Sequence, residues 1–160
     1  IALPFEEPGI VTQAVYDEPF RVLLPAGHSW ESEERIPASR LAEAPLLLLG
    51  AGNCFRDQVL EACPLCRPGE GLQRTLEGSS LETIRHMVAS GLGISVLPLS
   101  AVDSHHYAPG VIAVRPLAPP VPFRTVAIAW RASFPRPKAI DVLADSIRLC
   151  SVARAPQPDA

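Results

Sequence analysis

Three of the chain's four cysteines fall within residues 54–66, in the stretch GAGNCFRDQVLEACPLC at 50–66. The residues between the first two read as a helix that takes Asn53 as N-cap and Cys54 as its first helical residue. Unpaired backbone N–H groups and the helix dipole favour an anion at that position, and a thiolate is the reactive form of cysteine. Arg56, in the same turn, adds to this. Asp57 opposes it as a charge, although its carboxylate can hydrogen-bond a reacting oxygen. These features suit a reactive thiol, and equally a cysteine that starts a helix and does nothing.

Spacing sharpens the choice. Nine residues at about 1.5 Å each separate the Cα atoms of Cys54 and Cys63 by roughly 13 Å, and a disulfide needs them within about 7 Å. Either the pair never forms, or forming it unwinds the helix. In the second case oxidation of Cys54 to a sulfenic acid and attack by Cys63 make a switch that refolds the segment. Cys63 and Cys66 also form a CxxC, a spacing used by zinc sites and by thioredoxin-like redox pairs. A zinc site needs two more ligands, and neither Cys150 nor the His105/His106 pair has the spacing usual for one, so no metal is expected. A thioredoxin-type dithiol sits after a strand at a helix start, whereas CPLC falls at a helix end. Cys66 remains able to compete for Cys63.

The elements that must hold these groups are short, because eighteen prolines punctuate the 160 residues. Val11–Tyr16 and Arg21–Leu24 read as strands, ASRLAEA (Ala38–Ala44) as a short helix and Pro45–Leu49 as a fully buried strand. After the cysteine helix, Asn53–Ala62, a Pro/Gly loop through Arg67–Gly71 leads to a weak strand at Gln73–Leu76. SSLETIRHMVASG opens with a capping box of Ser79 and Glu82 and closes at Gly91, with Leu81, Ile84, Met87 and Val88 on one face. Ile94–Leu97 and Val111–Val114 are strands flanking the polar loop DSHHYAPG. Pro116–Pro122 is a stiff connector, Val126–Trp130 a buried strand, Ala139–Leu149 an amphipathic helix and APQPDA a frayed tail. Alternating strands and helices place the chain in the α/β class with a mainly parallel sheet, and the proline connectors suggest two lobes.

Composition narrows function by exclusion. A net charge of −3 gives no electrostatic footprint for nucleic acid or an anionic membrane. The longest apolar runs are strand-sized, far short of a membrane span. IALPFEEPG has no basic n-region or cleavage site, and its start on an apolar triplet without Met reads as cut from a longer protein. Four cysteines are too few for a disulfide-built scaffold.

CFRDQVLEAC, SSLETIRHMVASGLGISVLP, YDEPF with HSW downstream, and PFRTVAIAWR together resemble the effector domain of the LysR-type bacterial transcription regulators, and specifically the peroxide-sensing OxyR branch. The SLET and GLGISVLP stretches are shared across the superfamily, whereas the paired cysteines of the CFRDQVLEAC segment point to that branch. The resemblance implies two α/β lobes like a periplasmic binding protein. Residues 17–122 form the second lobe, and residues 1–16 and 123–160 are part of a first lobe that is incomplete here. It implies a winged helix-turn-helix DNA-binding domain N-terminal to this chain, a homodimer or homotetramer, and a cytoplasmic activator. It also implies reduction by an external thiol system such as glutaredoxin or thioredoxin, no cofactor and no turnover enzyme.

By the same likeness Cys54 takes the position of the peroxidatic cysteine that meets hydrogen peroxide, and Cys63 that of the resolving one. Arg124 takes the place of a thiolate-stabilising arginine, and Arg56 and Asp57 match the family's RD. Two departures stand out: Asn53 replaces a histidine, which removes a proton carrier, and Cys66 lies outside the family pattern. Ser79, Ser80 and Thr83 start a helix facing the expected inter-lobe cleft, where such regulators often contact a small inducer. His86 is expected to be half exposed, without a ligand role. Two other readings compete: an effector domain that binds a small-molecule inducer with inert cysteines, and a thiol oxidoreductase using CPLC.

Overall fold

The computed structural model describes residues 1–66, 75–102 and 110–150. The expected loop at 67–71, the start of the weak strand at 73–74, His105, His106 and the tail from 155 lie outside them. β1 is one continuous strand, Ile10–Pro25, where two were expected. Its first part pairs antiparallel with β6 (Phe123–Arg131), from Ile10 opposite Arg131 to Pro19 opposite Phe123, with a register shift between Ala14 and Tyr16. From Phe20 the strand changes partners. It then runs antiparallel to both β4 (Ile94–Pro98) and β5 (Ile112–Pro116). Pro19 stands at this handover, where its missing N–H removes one ladder bond.

The rest of the sheet is built by crossovers. β2 (Leu46–Leu49) pairs parallel with β3 (Thr75–Gly78) on one side and with β4 on the other. The order is β3-β2-β4-β1-β5, with β6 on the first part of β1. The sheet is therefore mixed, not mainly parallel. Helical crossovers through α1 (Cys54–Ala62) and α2 (Leu81–Ala89) make the β2, β3 and β4 pairings parallel, and the long β1 enters them in the opposite direction. Strand–helix alternation in the sequence reported only the crossover part.

All four leucines of β2 and all five residues of β4 are buried, as a strand covered on both faces requires. α2 adds Ile84 and Val88 to the core, with Leu81 and Met87 packed against its margin. Residues 38–43 form a 3-10 turn rather than an α-helix. β6 is less buried than its composition suggests: only Ala127 is buried, although residues 1–3 also bond to it beside β1. α3 (Pro137–Arg148) starts on Pro137 and buries Ile140 and Ala144, leaving Val142 and Leu143 exposed.

α2 begins one residue later than the capping box predicts. Ser80 is the N-cap and its Oγ accepts from the Thr83 amide at 3.1 Å. Glu82 turns outward to Arg85 and His86 instead of reaching back. The helix stops as expected at Gly91, which has φ +75°. The Gly91 amide donates to Val88 O and the Leu92 amide to Met87 O.

Candidate functional site

α1 places the two ends of the cysteine pair in different environments. The loop Gly50–Gly52 turns out of β2, with Gly52 at φ +86°, and delivers Asn53 as N-cap. The Asn53 Oδ1 accepts from the Phe55 amide at 3.0 Å. Cys54 is the first helical residue and its thiol is exposed. At the other end, Cys63 is the C-cap, and its amide donates to Val59 O at 3.0 Å. Its side chain is 2% exposed and Sγ donates to Ala38 O at 3.2 Å. The helix is anchored by Phe55 and Val59, which face the core, Phe55 edge-on to Phe20 at 5.3 Å between centroids. With α1 intact, the two thiols are separated by its length.

Cys66 is brought to Cys63. The segment Pro64–Cys66 is a 3-10 turn closed by the Cys66 amide on Cys63 O at 2.9 Å, and Cys66 is 1% exposed. A hydrogen bond to Cys63, burial and the Cys63 charge together push the Cys66 thiol far above the ordinary thiol range. Both CPLC thiols are buried, which suits neither a solvent-facing oxidoreductase dithiol nor an open metal site. Among the described residues no cluster of His, Cys, Asp or Glu could hold a metal ion.

The expected supporting residues divide. Asn53 and Ser79 line one cavity of about 280 Å³ with Leu49–Gly52, where β2 ends and both helices begin. Ser79 and Ser80 share the Thr83 hydroxyl at 3.3 and 3.0 Å, which ties this rim together. Arg56 points to the sheet: its Nη1 donates to Leu49 O at 2.9 Å and pairs with Glu77 at 2.5 Å. It therefore clamps α1 onto the β2 and β3 strands. Asp57 is exposed in the first turn of α1, and His86 is exposed beside Glu82.

Arg124, on β6, reaches α1 from across the molecule. Its guanidinium lies 5.7 Å from the centre of the Phe55 ring, next in sequence to Cys54. It is held there by Glu18 at 2.7 Å. Glu18 is fully buried and its other oxygen accepts from the Ser100 amide at 2.7 Å. Burial, followed by the Glu18 charge, raises the Tyr16 phenol above its usual value against the opposing pull of Arg124. Beside this pair, Thr125 donates to Asp17 at 2.6 Å.

Sequence reasoning missed Glu18, Glu77 and Gln58. Gln58 donates through Nε2 to Leu3 O, while its Oε1 is buried without a partner at a cavity of about 460 Å³ that Arg124 also lines. Only Glu18 left a trace in the sequence, as part of the YDEPF stretch.

The chain's relatives agree with this architecture. Residues 1–149 match the LysR substrate binding domain family model. The structure superposes with a TM-score of 0.82 on the reduced form of the OxyR regulatory domain from Pseudomonas aeruginosa, at 68% identity over 94% of this chain and 71% of that one. A hydrogen peroxide-inducible genes activator of Dickeya chrysanthemi is 34% identical over 148 residues, covering 92% of this chain and 48% of the activator. The DNA-binding transcriptional dual regulator OxyR of Escherichia coli K12 matches to the same extent. The chain spans about half the length of the curated relatives it matches. No helix among the described residues is long and apolar enough to cross a membrane. With the family model covering residues 1–149 and an OxyR regulatory domain matched at 68% identity, the chain belongs to the LysR substrate-binding domain family, among the OxyR regulatory domains.

Proposed function

We propose that this chain is the hydrogen-peroxide-sensing part of a LysR-type transcription regulator, switched by a reversible Cys54–Cys63 disulfide. The Cys54 thiolate attacks one peroxide oxygen and expels hydroxide, which leaves a sulfenic acid. The Cys63 thiolate then attacks that sulfur and expels hydroxide, so the two thiols lose two electrons and the disulfide forms. The observation that carries this reading is the contrast across α1: an exposed thiol at its N-terminus and a buried one at its C-cap. A disulfide between them requires α1 to unwind, which converts a small chemical event into a change of shape.

In this reading Arg124 and Asn53 support the Cys54 end, and Arg56 and Asp57 set the helix that is lost on oxidation. Residues 17–122 act as the switching lobe, and residues 1–16 and 123–160 belong to its neighbour. DNA is contacted by a winged helix-turn-helix N-terminal to this chain in a cytoplasmic homodimer or homotetramer, and an external dithiol system reduces the disulfide. The relative named for peroxide-inducible genes supports the peroxide reading, and the one named as a DNA-binding regulator supports the DNA contact.

The test is to treat reduced protein with one equivalent of hydrogen peroxide per chain and map disulfides by peptide mass spectrometry, with Cys54→Ser as control. A disulfide that depends on Cys54 and includes Cys63, with altered proteolysis across residues 53–71, is expected. Absence of any disulfide that depends on Cys54 would sink the proposal and favour the inducer-binding reading, for which the cavity beside Asn53 and Ser79 offers a site.

A further inference from the structure

Cys66 has no part in the two-cysteine switch, yet the fold places it closer to Cys63 than Cys54 can come while α1 is intact. A 3-10 turn rises about 2.0 Å per residue and eclipses residues three apart, which puts the Cα atoms of Cys63 and Cys66 about 6 Å apart. Disulfides span roughly 4.4–6.8 Å between Cα atoms. The Cys66 amide already donates to Cys63 O at 2.9 Å, which closes the turn between them. A Cys63–Cys66 disulfide therefore needs no change in α1, whereas a Cys54–Cys63 disulfide destroys it. Both buried thiols are also screened from peroxide in bulk water, at 2% and 1% exposure, while Cys54 is open.

We propose that Cys66 is a third redox cysteine, which attacks the Cys63 sulfur of the Cys54–Cys63 disulfide, releases Cys54 and leaves a Cys63–Cys66 disulfide. This rests on the peroxide reading of Cys54. The exchange is internal and balanced: the Cys66 thiol gives its proton to water, a Cys66–Cys63 bond forms, the Cys63–Cys54 bond breaks and Cys54 departs as a thiolate. No further oxidant is consumed. Departure is favoured because Cys54 returns to the N-terminus of a reforming helix, where an anion is stabilised. Activation is favoured too: once Cys63 is in a disulfide it carries no charge to oppose ionisation of Cys66.

The consequence is a timed signal. Oxidation unwinds α1, and exchange lets it refold while the protein still carries a disulfide. In that state Cys54 is a free thiol without a resolving partner, so a second peroxide stops at the sulfenic acid until a dithiol reductant opens Cys63–Cys66.

The test follows one equivalent of hydrogen peroxide through time, with acid quenching, alkylation and peptide mass spectrometry in the absence of reductant. Wild-type protein should end with Cys63 linked to Cys66 and Cys54 alkylated. The Cys66→Ser and Cys66→Ala variants should both stop at Cys54–Cys63, and Cys54→Ser should form neither link. A wild-type end state of Cys54–Cys63 with Cys66 alkylated overturns the relay and leaves the sensor intact, a result that needs no variant to fold. Formation of Cys63–Cys66 in Cys54→Ser at the wild-type rate also overturns it, since Cys66 would then be oxidised without Cys54. Unoxidised Cys54 in wild type and both Cys66 variants removes the sensor reading, and the relay with it.

Discussion

If oxidation unwinds α1, the packing of α1 sets the reduction potential of Cys54–Cys63, and Val59→Ala measures the link. Val59 is 1% exposed and faces the core from the middle of the helix. Removing two buried methyl groups costs about 1.6 kcal/mol at ~0.8 kcal/mol each, and the residual cavity brings this to about 2 kcal/mol. That cost falls on the reduced form alone if Val59 leaves the core on oxidation. Reduction is then less favourable by the same amount, and the potential moves about 40 mV more negative, at 30 mV per 1.4 kcal/mol for a two-electron couple. The assay equilibrates the protein in glutathione or dithiothreitol redox buffers and quantifies Cys54–Cys63 by alkylation. A Cys66→Ser background keeps one disulfide in play. Urea unfolding of the reduced protein checks the ~2 kcal/mol independently. A reduced state weakened by that amount with an unchanged potential would refute the reasoning, because Val59 would then be buried equally in both states.

The cap of α2 offers a local test: Ser80→Ala should cost about 1 kcal/mol in urea unfolding and Ser79→Ala only a few tenths, since Ser80 accepts from the Thr83 amide. The reverse order would restore Ser79 as the cap. Glu18→Gln should destabilise the fold by about 3 kcal/mol, the low end for a broken buried pair because Arg124 is 24% exposed. A loss below about 1 kcal/mol would mean that Arg124 finds its stabilisation in solvent. Burial, then the Arg40 charge, holds His28 below the ordinary imidazole value, and its Nδ1 accepts from the Trp30 amide at 3.2 Å. Because the folded value is the lower one, the unfolded chain binds the proton first. The stabilisation is present above about pH 6.5 and is lost as pH falls through the folded value. Thermal melts from pH 7.5 to 5 should show a steeper acid loss in wild type than in His28→Asn, and identical slopes would exclude His28 as the source.

Much of the site could be read without coordinates because it is local. Asn53 caps within two residues, Cys54 follows it, and helix arithmetic separates Cys54 from Cys63. Apolar runs at residues 46–49 and 94–97 announce strands buried on both faces. The same locality explains the errors. A choice between Ser79 and Ser80 turns on where β3 ends, and β3 ends by pairing with β2 through Gly78 opposite Leu49. The apolar composition of residues 126–130 could not reveal that only Ala127 of β6 would be buried.

What the sequence determined by itself is therefore the placement of the thiols and their spacing: a cysteine at a helix start, a second at the helix end, and a third one turn beyond. Tertiary structure alone decided what surrounds them. Glu18 meets Arg124 across 106 positions, Arg56 meets Glu77 across 21, and Cys63 meets the carbonyl of Ala38 across 25. Such partners depend on strand order and direction, which no window of a few residues encodes. The handover of β1 from β6 to β4 and β5 at Pro19 is what brings Arg124 to the ring beside Cys54.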